Sequence, residues 1–190
     1  MASLFRLRRS RGPADLAIGM AGVRLGERVL QAGAADPRVF ALIAGKAGLT
    51  GRACAVVDTP AAAQRVEAAA AREGVLVEVA TVEDGPWPYD RASFDLGIVD
   101  GKVLLAADAA SRHHRLQEML RVVRAGGRVL VVYRAPLGIA GRLGFASSSP
   151  GASAHGATLV RAVEDAGFRP VRLLAEREGM TFVEGFRPAV

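Results

Sequence analysis

Short apolar runs recur along this chain, each followed by a stretch with helical spacing, and that rhythm limits the fold more than any other feature. The run at residues 53–57, Ala-Cys-Ala-Val-Val, has no charged or strongly polar position on either face. A strand built from it must be covered on both sides, as in a parallel sheet lying between helices. Residues 28–31, 75–79, 94–99 and 128–133 supply four further strand candidates. Between them, residues 36–46 bring Val39, Leu42 and Ile43 to one helical face, and residues 113–124 do the same with Leu116, Met119, Leu120 and Val123. Thr59 and Pro60 suit the N-cap and first position of an alanine-rich helix that Gly74 ends. Ala125-Gly126-Gly127 reads as a compact turn from helix to strand. Alternation of this kind specifies an α/β sheet with right-handed crossovers.

The rhythm breaks near the C-terminus. After a helix at residues 157–166, strand candidates at 171–175 and 181–186 are joined by the short link Glu176-Arg177-Glu178-Gly179, which permits only an antiparallel hairpin. The expected fold is a Rossmann-like, doubly wound, mostly parallel sheet that ends in an antiparallel hairpin. Residues 134–155, rich in Gly, Ser and Pro, read as a lid, a binding loop or a disordered segment.

A length of 190 residues suits one domain. The net charge of +6 is unevenly spread: Arg6, Arg8, Arg9 and Arg11 precede the first acid, Asp15, and the rest of the chain carries only about +2. The chain therefore divides into a basic tail, residues 1–15, and a near-neutral domain, residues 16–190. The tail has one aromatic, Phe5. A solvated tail, or one in weak contact with a membrane surface, is expected rather than nucleic-acid binding, which needs more rings for bases to stack on. With 51% hydrophobic and 23% charged residues, the composition excludes a disordered chain. No secretory signal is evident. The lone Cys54 offers neither a disulfide nor a cysteine metal site, so a cytoplasmic location is expected and no metal is.

In an open parallel sheet, ligands bind beyond the carboxyl ends of the strands. Gly33 follows the first strand candidate, Asp58 the second, Asp84 the third and Asp100 the fourth. An ionised carboxylate has two acceptor oxygens, so Asp58 can receive both hydroxyls of a ribose, and Asp84 an adenine amino group. Taken singly, Asp58 with Thr59 could merely cap a helix and Glu83-Asp84 could be a polar turn; three acids on one rim argue for a site. Other motifs carry less. His113 and His114 point about 100° apart on a helix and cannot share a metal. Gly151-Ala152-Ser153-Ala154-His155 does not make a hydrolase elbow. Gly45-Lys46-Ala47 lacks the rest of a phosphate-binding loop. A nicotinamide-binding Rossmann protein ranks behind because its glycine fingerprint is missing.

The series Val29-Leu30-Gln31-Ala32-Gly33-Ala34-Ala35-Asp36-Pro37, Val57-Asp58, Val82-Glu83-Asp84 before Trp87-Pro88, Ser93-Phe94-Asp95-Leu96, and Met119 through Ala125-Gly126-Gly127 to Leu130 resembles the motifs of class I S-adenosylmethionine-dependent methyltransferases. It is most similar to the small-molecule group that includes the quinone C-methyltransferases. The resemblance implies a seven-stranded sheet of order 3-2-1-4-5-7-6 and S-adenosylmethionine as cofactor. It implies that Gly33, Ala34 and Ala35 lie against the methionine part, Asp58 holds the ribose, Thr59 borders the adenine, Glu83 and Asp84 flank the adenine edge, and Asp100 contacts methionine or substrate. The first motif departs from the family: Gln31 stands where an acid is usual, and Ala35 and Pro37 where glycines are.

The function expected on this basis is methyl transfer to a small-molecule acceptor, with Tyr133, His155 and Asp100 as candidates for a general base by location. The altered first motif supplies the alternative, a methyltransferase-like binding or scaffold protein without catalysis.

Overall fold

The computed structural model describes residues 12–34, 36–83, 85–135, 150–177 and 179–189, with side chains of 150–153 left undescribed. In chain order the elements are α1 (Pro13–Ala21), β1 (Arg28–Ala32), α2 (Pro37–Ala47), β2 (Arg52–Val57), α3 (Pro60–Glu73), β3 (Glu78–Thr81), β4 (Phe94–Asp100), α4 (Gly101–Ala106), α5 (Ala109–Val122), β5 (Val123–Arg134), α6 (Pro150–Asp165), β6 (Val171–Arg177) and β7 (Met180–Phe186). The strands form one seven-stranded sheet in the order β3-β2-β1-β4-β5-β7-β6. Strands β1 to β5 pair in parallel, and β7 runs antiparallel to both β5 and β6. The expected order and closing hairpin are both present.

Alternation along the strands divides the core in two. Val29, Ala53, Ala55, Val57, Leu96, Ile98 and Leu130 face α1, α2 and α3, whereas Leu30, Cys54, Val56, Val99, Val129, Val131 and Tyr133 face α4, α5 and α6. Each central strand buries both faces, which is why its sequence is almost continuously apolar. Burial also pushes the Cys54 thiol up to about 11, so it acts as a small apolar core residue. The α3 termini follow the reading from sequence: Thr59 Oγ1 accepts from the Ala62 N–H at 3.2 Å, and Gly74 closes the helix in the left-handed region at φ +66.

Several boundaries differ from the sequence reading. The third strand begins at Glu78, because its pairing with β2 starts at Cys54 opposite Glu78; residues 75–77 have no partner strand, and Leu76 is 87% exposed. Helix α5 begins at Ala109, where Asp108 caps it by accepting from the Ser111 N–H and hydroxyl. Ala125-Gly126-Gly127 is a bulge within β5 rather than a separate turn: pairing with β4 jumps from Phe94 opposite Val123 to Leu96 opposite Arg128. Gly126 takes φ +70 there and its N–H donates to the Arg187 carbonyl. Helices α1 and α4 had no counterpart in the sequence reading. His155 lies on α6 and not in a loop; residues 136–149 of the expected cover lie outside the described residues.

Candidate functional site

Because β1, β2 and β4 are adjacent and parallel, their carboxyl ends open on one rim. Gly33 turns the chain away from β1 at φ +91, a conformation that side chains disfavour. Its N–H donates to the Val56 carbonyl at 2.8 Å, tying the turn to β2. Buried Gln31 donates from Nε2 to the Gly33 carbonyl at 2.9 Å, which holds the turn from below and leaves Oε1 as an acceptor. Ala34 is half-buried against the α2 side of the core, and Ala35 lies outside the described residues. Asp36 caps α2, accepting from the Val39 N–H at 3.2 Å.

Asp58 ends β2 on the same rim, but its carboxylate has a partner the sequence did not reveal. Arg115, on α5, donates from both terminal nitrogens to the two Asp58 oxygens at 3.1 Å each, a bidentate pair. The pair is partly in water: Asp58 is 45% exposed and Arg115 24%. Thr59 is spent on capping α3. Glu83 is exposed beyond β3, and Asp84 lies outside the described residues.

The stripe of α5 that carries Arg115 also fixes the segment after β3. Glu118 accepts from the Trp87 N–H at 2.7 Å, and Arg121 donates to the carbonyls of Trp87 and Tyr89 at 3.0 and 2.7 Å. Glu118 and Arg121 are themselves paired at 2.8 Å. The Arg121 guanidinium, with the Trp87 N–H, holds the Glu118 carboxyl below its ordinary range. Arg115, Glu118 and Arg121 recur at three-residue spacing, so one helical face grips both the β2 end and the following loop. Sequence reasoning missed them because the groups they grip, Asp58, Trp87 and Tyr89, are far away in the chain.

Next to the rim, on the α1–α2 face, lies a cavity of about 370 Å³. Strand periodicity decides which side chains reach it. Gln31 of β1, Ile98 and Asp100 of β4, and Val132 and Arg134 of β5 share that face and line the cavity, with α1 and α2 forming its wall. Asp100 Oδ1 accepts from the Lys102 N–H at 2.9 Å. Burial pushes its carboxyl above the usual carboxylate range, while the Lys102 N–H and ammonium pull it back. Tyr133 alternates to the opposite face, where its ring stacks at 4.9 Å on His155 of α6. His155 Nδ1 is buried there with no hydrogen-bond partner among the described residues. Of the three base candidates, Asp100 alone lines the cavity. No cluster of three or more metal-ligating side chains occurs among the described residues.

Solved structures with this arrangement exist. A methyltransferase from Aquifex aeolicus, described as S-adenosylmethionine-dependent, superposes with a TM-score of 0.72 at 16% identity, covering 92% of this chain and 89% of its own. The fold is that of the class I methyltransferases. A putative O-methyltransferase from Nostoc punctiforme matches with a TM-score of 0.69 at 16% identity over 91% of this chain, which spans 56% of that protein. The [4+2]-cyclase SpnF matches with a TM-score of 0.65 at 14% identity, covering 93% and 80%. No family model matches the sequence, and no curated protein does.

The residues on this rim are chemically suited to S-adenosylmethionine. Each Asp58 oxygen spends one acceptor site on Arg115 and keeps another for a ribose hydroxyl. Gln31 Oε1 can accept from an ammonium group, without supplying the negative charge that a carboxylate would. The left-handed Gly33 lets the backbone turn sharply where a ligand would lie, and among the described residues an added Cβ there would meet only Val103 Cγ2, at 3.9 Å.

Proposed function

We propose that this protein binds S-adenosylmethionine across the ends of β1, β2 and β4 and transfers its methyl group to a small molecule held in the adjoining cavity. The observation that carries this reading is the joint placement, on one rim of a methyltransferase sheet, of left-handed Gly33, Asp58 and Asp100 beside a cavity of about 370 Å³. Gly33 and Ala34 would border the methionine part, Asp58 the ribose, and Thr59 and Glu83 the adenine, with Ala35 and Asp84 in the same roles by motif. The bound cofactor supplies a methyl group on a positively charged sulfur, already activated toward a nucleophile.

The protein's part is alignment and exclusion of water. The apolar walls of the cavity exclude solvent from the acceptor, and Asp100 takes the acceptor's proton on Oδ2, the oxygen not engaged by the Lys102 N–H. Its raised pKa makes it a stronger base than an ordinary carboxylate. A reducing cytoplasmic setting accords with the buried thiol of Cys54.

Neutral Gln31 and the Arg115 pair at Asp58 favour a second reading, a binding or scaffold protein on the same fold. The [4+2]-cyclase among the similar structures is named for a reaction other than methyl transfer, so the fold by itself does not fix the chemistry. Calorimetric titration with S-adenosylhomocysteine tests the first step. One-to-one binding in the micromolar range is expected, weakened about tenfold in Asp58→Ala, as for lost hydrogen bonds to a charged group. No heat at millimolar ligand would overturn the cofactor assignment, and binding without methyl transfer to any of a panel of small acceptors would favour the scaffold.

A further inference from the structure

The lining of the cavity is mostly apolar, with five polar members. Its floor and walls include Ile43, Ile98, Val132 and Met180, and its polar members are Gln31, Asp36, Asp100, Lys102 and Arg134. Both carboxylates in that set are already engaged as helix caps, Asp36 by the Val39 N–H and Asp100 by the Lys102 N–H. Gln31 is neutral, and its Nε2 donates to the Gly33 carbonyl. The Arg134 side chain has no hydrogen-bond or ion-pair partner among the described residues, and the Lys102 ammonium acts on Asp100 through its charge without a hydrogen bond to it. The charged side chains of the lining that make no hydrogen bond among the described residues are therefore both cations, Lys102 and Arg134.

Sheet geometry separates this charge from the cofactor rim. Gln31 is level with Ile98, and Asp100 with Val132. Arg134 lies two residues further along β5 and two strands across from β1, so it stands about 10 Å sideways from the Gly33 turn and roughly 7 Å beyond the level of Asp100.

We propose that the cavity takes a small, mainly apolar molecule carrying one anionic group, its body against Ile98, Val132 and Met180 and its anion at the mouth on Arg134, with Lys102 beside it. This assignment rests on the methyltransferase reading only in calling that molecule the methyl acceptor. An anion fixed at the mouth would orient the acceptor with its opposite end toward Asp100 and the cofactor rim, so Arg134 is a specificity-determining residue.

The probes are 4-fluorocinnamate, its neutral isostere 4-fluorocinnamamide and the cationic 4-fluorocinnamylamine, followed by fluorine NMR titration of the full chain. The carboxylate should bind at least fivefold more tightly than the amide at low salt. That advantage should shrink in 0.5 M salt, disappear in Arg134→Gln and be kept in Arg134→Lys. S-adenosylhomocysteine binding, measured in parallel, should be unchanged by Arg134→Gln and serves as the check that this variant is folded; thermal melting serves if that ligand does not bind the wild type. Equal binding of carboxylate and amide, tighter binding of the amine, or no binding of any probe at millimolar concentration would overturn the proposal. Loss of S-adenosylhomocysteine affinity in a folded Arg134→Gln would also overturn it, since the anion would then be the cofactor's own carboxylate. Failure of S-adenosylhomocysteine to bind the wild type, with the carboxylate preference intact, would reject the methyltransferase reading and leave the anion site standing.

Discussion

Replacing Arg115 with methionine should strengthen nucleoside binding, although it removes an ion pair. In the native protein the guanidinium takes one acceptor site from each oxygen of Asp58, at 3.1 Å, and withdraws charge from the carboxylate that would receive the ribose hydroxyls. Such a pair, 45% and 24% exposed, is screened by water and worth between nothing and about 1 kcal/mol. If ribose must compete with it, release of Asp58 can improve affinity by no more than about fivefold, since 1.4 kcal/mol corresponds to tenfold. Titration with S-adenosylhomocysteine at low salt should therefore give a two- to fivefold tighter complex for Arg115→Met than for wild type. The gap should narrow in 0.5 M salt, where charges are screened over a few ångströms. Asp58→Asn should abolish it, because the carboxylate is then gone. The variant's melting temperature should fall by no more than about 4 °C. Weaker binding by Arg115→Met would refute the reasoning by making Arg115 a ligand contact, and unchanged binding at every salt concentration would show that it does not compete.

Two other perturbations act through the scaffold. In Gly101→Ala the new methyl would lie 2.7 Å from Tyr133 Cβ and 3.2 Å from its Cα. Backbone cannot yield as a flexible side chain can, so the start of α4 must shift at a cost of roughly 1–3 kcal/mol, seen as a melting temperature lower by about 3–10 °C; an unchanged melt would mean that α4 is loosely seated. Glu118→Gln weakens the hold on Trp87 and should cost roughly 1–2 kcal/mol at neutral pH. The Glu118 carboxyl is held below its ordinary range, so its contribution is complete above about pH 5 and is lost as the pH falls through the folded value. Wild type and variant should differ at pH 7 in urea titrations and converge under acid; a difference that persisted at pH 2 would point to packing rather than charge.

Much of the rim was legible from sequence because local patterns carry it. The 53–57 run, the Thr59-Pro60 start and the Gly74 stop need only neighbours within one element, and those boundaries held to within a residue or two. The third strand was misplaced by three residues because a strand is completed by a partner, and the partner of β3 begins at Cys54. Asp58 was recognised as a strand-end acid, whereas its pairing with Arg115 spans 57 positions and has no local signature. Tyr133, Asp100 and His155 looked equivalent by location until the pleat sent Asp100 to the cavity and Tyr133 to the opposite face.

By itself, then, the sequence determined the class of fold, the place where strands meet helices and the rim on which Gly33, Asp58 and Asp100 stand. Those properties follow from apolar periodicity, caps and turns, which act over a few residues. Tertiary structure alone decided which carboxylate is paired, which is buried, which cations of the cavity lining make no hydrogen bond among the described residues, and that α1 forms part of the cavity's wall. Each of these depends on side chains brought together across the sheet from distant parts of the chain, and strand register and pleat set those meetings.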